Sequence, residues 1–237
     1  FGSIVGPDFQ RNEKGDILID PQTGLPQYDK SNHVLGNASW DWTGGLFTNF
    51  TYKTLSLVAV FDVKVGADLY SMSARAAYES GKSPETLAGR DAWYRSEEER
   101  LAAGIAKGAD NWKPTGGFVA PGVIDNGDGT YRPNDIYINP EDYWMSVCRN
   151  APSMFIYDNS YVKCRELTLS YNVPKSWLKN VVSGLTVSFV ARNPFIVWKN
   201  IPNIDPDSNY NNTTGMGLEY GSLPSRRSYG FNVNVKF

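Results

Sequence analysis

From Leu55 to Tyr70 the chain divides by twos into two faces, one of them wholly uncharged. Leu55, Leu57, Ala59, Phe61, Val63, Val65, Ala67 and Leu69 fall on one face of an extended chain. Ser56, Val58, Val60, Asp62, Lys64, Gly66, Asp68 and Tyr70 fall on the other. A period of two is the signature of a strand. The first face carries no charge along its whole length. In a soluble protein such a face needs an equally long partner sheet to bury it. In a membrane barrel lipid covers it, and the alternate polar residues line the lumen.

The same pattern recurs. Leu46, Thr48, Phe50 and Tyr52 alternate with Phe47, Asn49 and Thr51, just before a turn at Lys53-Thr54. Leu167, Leu169, Tyr171 and Val173 oppose Glu166, Thr168, Ser170 and Asn172. Counted upstream, Lys163 and Arg165 land on the apolar face, which calls for a bulge or the membrane edge there. Leu185, Val187, Phe189 and Ala191 oppose Thr186, Ser188, Val190 and Arg192. Finally, Tyr229, Phe231, Val233, Val235 and Phe237 alternate with Ser228, Gly230, Asn232, Asn234 and Lys236. The expected strands are Thr43–Tyr52, Leu55–Tyr70, Tyr161–Val173, Leu185–Arg192 and Ser228–Phe237, paired in sequence order as an antiparallel meander. A tilted strand needs about ten residues to cross a bilayer.

The connections are uneven. Residues 1–42 are rich in turn formers around a short apolar run, Ile17-Leu18-Ile19, which suggests a small hairpin. Residues 71–160 carry helix signals: Ser83-Pro84-Glu85 reads as an N-cap with Pro at the first helical position. Ser96-Glu97-Glu98-Glu99 reads as a capping box, with Gly104 or Gly108 ending that helix. NGDGTYRPND marks a hairpin turn, and its acidic spacing does not fit a calcium hand. PKSWLKN is a short helical turn, and 193–227 a long polar loop. The short connections, at 53–54 and 174–180, fall at one end of the strands and the long ones at the other. Outer-membrane barrels have that asymmetry. Tyr52, Tyr171 and Trp177 then gather at the short-turn end, as an aromatic girdle requires. The organisation expected is an extracellular loop with a small hairpin at 1–42, a strand pair at 43–70, an extracellular insertion at 71–160 and three strands at 161–237.

Composition excludes several classes. A net charge of −2 gives no basic stripe for nucleic acid. No apolar run approaches the length of a helical span, and mean hydropathy is −0.40. With one His and two Cys there is no metal-ligand spacing, and nothing beside His33 looks like a nucleophile elbow. No catalytic group, metal or cofactor is expected. Cys148 and Cys164 are open to either reading, a single bridge or two free thiols.

A family resemblance rests on several blocks. YVKCRELTLSYNVPKSWL, LTVSFVARNPFIVWKN, PNIDPDSN and RRSYGFNVNVKF resemble the C-terminal blocks of SusC/RagA-type TonB-dependent outer-membrane transporters. GDILIDPQTGLP, VLGNASWDWTGG and TYKTLSLVAVFDVKVGADLY resemble the blocks before them. Phe237 matches the terminal aromatic that closes bacterial outer-membrane barrels. The resemblance implies an all-β fold, the last five strands of an antiparallel transmembrane β-barrel of about 22 strands, with a partly helical extracellular insertion. It implies a C-terminal segment of a longer polypeptide in the outer membrane of a Gram-negative bacterium. The family imports oligosaccharides or peptides, driven by TonB acting on the N-terminal part, with a SusD-like lipoprotein as lid. The remaining barrel, the plug and the lipid bilayer are the other implied partners.

The aromatic content is high, with 14 Tyr and 7 Trp. Trp93, Tyr94, Trp112, Tyr143 and Trp144 sit in the longest insertion and are the candidates for contact with ligand or lid, since Tyr and Trp favour interfaces and their rings suit sugars. The alternative is that they pack the loops together. Asp62, Lys64, Asp68, Arg192 and Lys236 are expected to face the lumen. Two other classes stand beside the importer: a surface carbohydrate-binding β-protein, and a passive porin-like barrel.

Overall fold

A computed structural model describes residues 2–178, 181–208 and 215–237. The chain forms two compact units. One holds residues 37–69 and 157–237 with Gly2; the other holds 3–36 and 70–156.

The first unit is built on a five-stranded antiparallel sheet whose strands lie in chain order. Its strands are Trp42–Tyr52, Leu55–Val65, Tyr161–Asn172, Gly184–Lys199 and Ser228–Lys236. They are called the first to fifth wall strands below. Each pairs with the next, as the alternation predicts. Register fixes the faces, because directly opposed residues share one. One row runs Phe50, Leu57, Leu169, Phe189 and Phe231 across all five strands. The row beside it runs Thr51, Ser56, Ser170, Ser188 and Asn232. The sheet is therefore apolar on one face and polar on the other. Large side chains of the apolar face are bare, Phe50 being 65% exposed and Phe231 79%, while the small Ala59, Cys164 and Ala191 on the same face are covered.

Two strand ends differ from expectation by more than one residue. The second wall strand stops at Val65, not Tyr70, because Gly66 takes a φ of 89°. A Cβ there would meet the Asp41 carboxyl at 2.1 Å, so only glycine fits the bend. Asp68 lies beyond it and accepts a hydrogen bond from Asn37 N. The fourth wall strand continues to Lys199, past Arg192. Asn193, at φ 47°, absorbs an irregularity in the pairing that broke the sequence alternation. A bulge stands where the charges required one, between Cys164 and Glu166. Arg165 is the extra residue. Cys164 thus opposes Phe61 on the apolar face, while Lys163 opposes Asp62 on the polar face.

The second unit carries three helices: α1 (Met72–Glu79), α2 (Arg90–Ala102) and α3 (Pro140–Asn150). Ser71 caps α1, accepting from Ala74 N at 3.0 Å. Asn139 caps α3 with Pro140 in its first turn. The capping box at Ser96 is not a helix start. α2 begins at Arg90 after Gly89, which holds a left-handed φ of 80°. Ser96 is buried mid-helix, and its hydroxyl accepts from Thr115 N. Gly104 closes that helix, its N–H on Leu101 O at 3.0 Å. Ser83 precedes a short 3-10 turn, Pro84–Leu87, and its hydroxyl bonds Glu85 rather than the backbone. NGDGTYRPND does form a hairpin: Val123–Asp125 pairs with Tyr131–Pro133. The Ile17-Leu18-Ile19 run makes isolated bridges to Arg11, Val123 and Pro26. Segments Ser3–Phe9 and Tyr28–Asn37, expected as loop, pair as a two-stranded sheet. No helix among the described residues is long and apolar enough to cross a membrane.

Candidate functional site

Each unit holds one built feature. In the first unit, loop 200–208 is latched to the polar face of the sheet. Lys163, 2% exposed, donates to Asp207 at 2.6 Å and Asp205 at 3.1 Å, and also meets Ser225. Arg165 grips Asp207 at 2.5 and 2.9 Å and Asp62 at 2.6 Å. The Tyr161 hydroxyl donates to Asp207 at 2.8 Å. Burial pushes the Asp207 carboxyl up, but hydrogen bonds from Arg165, Lys163 and Tyr161 outweigh it and hold the group well below the carboxylate range. Asp205 is also lowered: burial opposes, while Ser225, the Asp207 N–H and Lys163 prevail. This gives PNIDPDSN a physical role: its two aspartates clamp a loop to the wall. Asn209 of that motif lies outside the described residues, as do Lys179 and Asn180 of PKSWLKN. The latch was invisible in the sequence because its partners are more than forty residues apart; only the misplaced charges at Lys163 and Arg165 hinted at it.

In the second unit two cavities lie against the helices. The smaller, of about 220 Å³, is lined by Tyr78, Arg90, Trp93, Tyr94, Glu141 and Trp144, among others. The larger, of about 1020 Å³, is lined by Trp93, Trp112, Lys113, Tyr137, Asp142 and Arg149, among others. Trp93, Asn139 and Met145 line both. Four of the five aromatic candidates therefore border one cavity or the other. Tyr143 borders neither: at 3% exposure it packs on Phe118 and Trp144, with ring centroids 4.6 and 4.9 Å away. Burial pushes its phenol up to about 12. Trp112 and Trp144 each hold a buried indole N–H without an acceptor among the described residues. α3, which carries Tyr143 and Trp144, was missed as a helix, although Asn139-Pro140-Glu141 is a legible start signal.

Other reactive groups are occupied or inert. Both cysteines are free and buried, which decides against a bridge. Burial pushes the Cys148 thiol up to about 11. His33 contacts Asp29 at 3.0 Å on an exposed strand. Ser31 sits between them but donates to Asp29, at 2.7 Å. The Ser31 oxygen also lies 3.1 Å from His33 Nε2, so the three side chains form one small surface cluster.

No family model matches the chain. It is 33% identical over 95 residues to TonB-dependent receptor P3 of Formosa agariphila, a match covering 38% of this chain and 10% of that protein. Among solved structures it is similar to the RagAB peptide importer in its closed-closed state, with a TM-score of 0.58 and 17% identity, over 99% of this chain and 23% of that one. A second RagAB peptide transporter structure gives 0.58 and 18%, over 99% and 22%. The likeness to the solved chains shows a shared fold, and the chain spans less than a quarter of their length.

Proposed function

We propose that this chain, a segment of a SusC/RagA-type TonB-dependent transporter, forms part of the wall and outer surface of an outer-membrane importer. The observation that carries the reading is the five-stranded meander with apolar rows on one face and polar rows on the other. Lipid covers the apolar face and the polar face lines the lumen, where alternation in such barrels puts it. The turn at Lys53-Thr54 and the segment 174–180 are then periplasmic. Residues 71–160 lie outside the cell, the side on which a SusD-like lipoprotein closes the mouth. The chain contributes no catalysis; TonB acts through other parts of the protein.

Cargo is an oligosaccharide or a peptide. The aromatic cavities of the second unit, lined by Trp93, Tyr94, Trp112 and Trp144, support contact with cargo or lid. The structural relatives named as peptide importers weigh toward peptide. The test is uptake by cells carrying the full-length transporter, with and without TonB, offered labelled peptide and oligosaccharide mixtures. Accumulation only with TonB is the expected result. Uptake independent of TonB would mean a passive pore. Surface binding without uptake would mean a binding protein.

A further inference from the structure

The small cavity of the second unit contains a charged group that no residue neutralises. Arg90 stands at the first position of α2. Its Nε donates to Thr86 O at 2.8 Å, and its Nη2 to Gly81 O at 2.8 Å and Thr86 Oγ1 at 2.7 Å. These three acceptors fix the guanidinium. Gly81 is part of the cradle: it holds a φ of 67°, and a Cβ there would stand 2.7 Å from Arg90 Nη2. The two N–H groups of Nη1 have no acceptor among the described residues, and no carboxylate there lies within ion-pair distance of Arg90. An arginine held rigid by neutral acceptors, with one nitrogen unspent, is preorganised for an anionic oxygen.

The surroundings narrow the ligand. The walls are aromatic: Tyr78, Trp93, Tyr94 and Trp144. The first turns of two helices, α2 at Arg90 and α3 at Pro140, also border the space, and helix starts favour negative charge. Two carboxylates line it as well. Glu79 is engaged by Arg75 at 3.8 Å, and Glu141 is solvent-exposed. Their charge opposes any anion away from Arg90, so at most one negative charge fits, seated at that guanidinium. The volume, about 220 Å³, lies below that of drug-sized pockets and suits a single residue.

We infer that this cavity binds a monocarboxylate attached to an apolar or aromatic group, either the C-terminal residue of a peptide or a free organic acid of that size. The inference uses the importer reading only for its biological purpose, and its test runs without transport. Purified full-length transporter in detergent is titrated calorimetrically with N-acetylphenylalanine and its amide, and with a tripeptide ending in phenylalanine and its amidated form. In each pair the free acid should bind at least about tenfold more tightly, the difference expected from one charge-assisted contact. Binding of both acids identifies the carboxylate on its apolar group as sufficient. Binding of the tripeptide acid alone identifies a peptide terminus. Arg90→Gln should abolish the preference for acid over amide. Because Arg90 also supports the Pro84–Leu87 turn, the acid-against-amide comparison on the unaltered protein stands by itself. Equal affinity for acid and amide, or no binding of either acid, overturns the proposal even if TonB-dependent uptake holds.

Discussion

Lys163 lies directly opposite Asp62 on the polar face of the sheet, although a count by twos from Leu167 puts it among the leucines. The extra residue Arg165 makes the difference. It shifts the phase of the third wall strand by one, so that Cys164 faces Phe61 and the ammonium reaches Asp205 and Asp207. Without the bulge, a lysine would stand on the apolar face.

Facing is testable by paired substitution. Val233 opposes Val187, and Asn234 opposes Thr186. Val233→Arg should reduce assembled barrel sharply, since Arg on the lipid side costs about 2–4 kcal/mol near the midplane. Asn234→Arg should be tolerated. Heat-modifiable mobility of the outer-membrane fraction reads both, and equal loss would reverse the facing assignment.

The latch should respond to charge removal and to acid. Asp207→Asn removes one of two carboxylates from each of Lys163 and Arg165, at a cost of about 1.5–3 kcal/mol for a lost charged hydrogen bond. It should expose loop 200–208 to limited proteolysis at neutral pH. Both aspartates titrate below the usual 3.8 in the folded protein. Their stabilisation is therefore fully present above the ordinary carboxylate range and is lost as pH falls through the folded-state values. Protease resistance of the loop should hold at pH 5 in the parental protein, and loss there would contradict the latch.

Both cysteines should resist alkylation until the protein is denatured. Cys148 is buried beside Arg75 O at 3.7 Å and its thiolate is disfavoured at neutral pH. Mass spectrometry after iodoacetamide treatment should find Cys148 and Cys164 unmodified in the native protein and both modified in denaturant. A bridged pair would stay unmodified in both.

Trp93 and Trp112 are the cleaner probes of the second unit. Trp144 is buried at 8% exposure, and Trp144→Ala should cost about 3–5 kcal/mol of stability. Trp93→Ala and Trp112→Ala should leave surface level near parental while lowering lipoprotein co-purification or uptake. Parental values of both for the two variants would reduce these residues to packing.

The wall was legible because each strand must satisfy two solvents at once, which writes a period of two into Leu55–Val65 and Ser228–Lys236 alike. Its limits were less legible. Gly66 ends a strand through the nearness of Asp41, and Asn193 interrupts an alternation that resumes beyond it. The second unit was harder still. α2 begins at a glycine with no side-chain cap, and the hydroxyl of Ser96 serves Thr115 instead. The grouping of Trp93, Tyr94 and Trp144 around one cavity depends on how two helices approach, which no spacing encodes.

Among the described residues the two outermost strands, Trp42–Tyr52 and Ser228–Lys236, have partners on one side only. In polymer terms the sheet is a bifunctional monomer with two living ends. Each bare edge adds any strand that meets it in register. Closure into a ring, with the neighbouring strands of a longer barrel, abolishes both ends at once; until then, a second copy of the same edge competes with the proper partner.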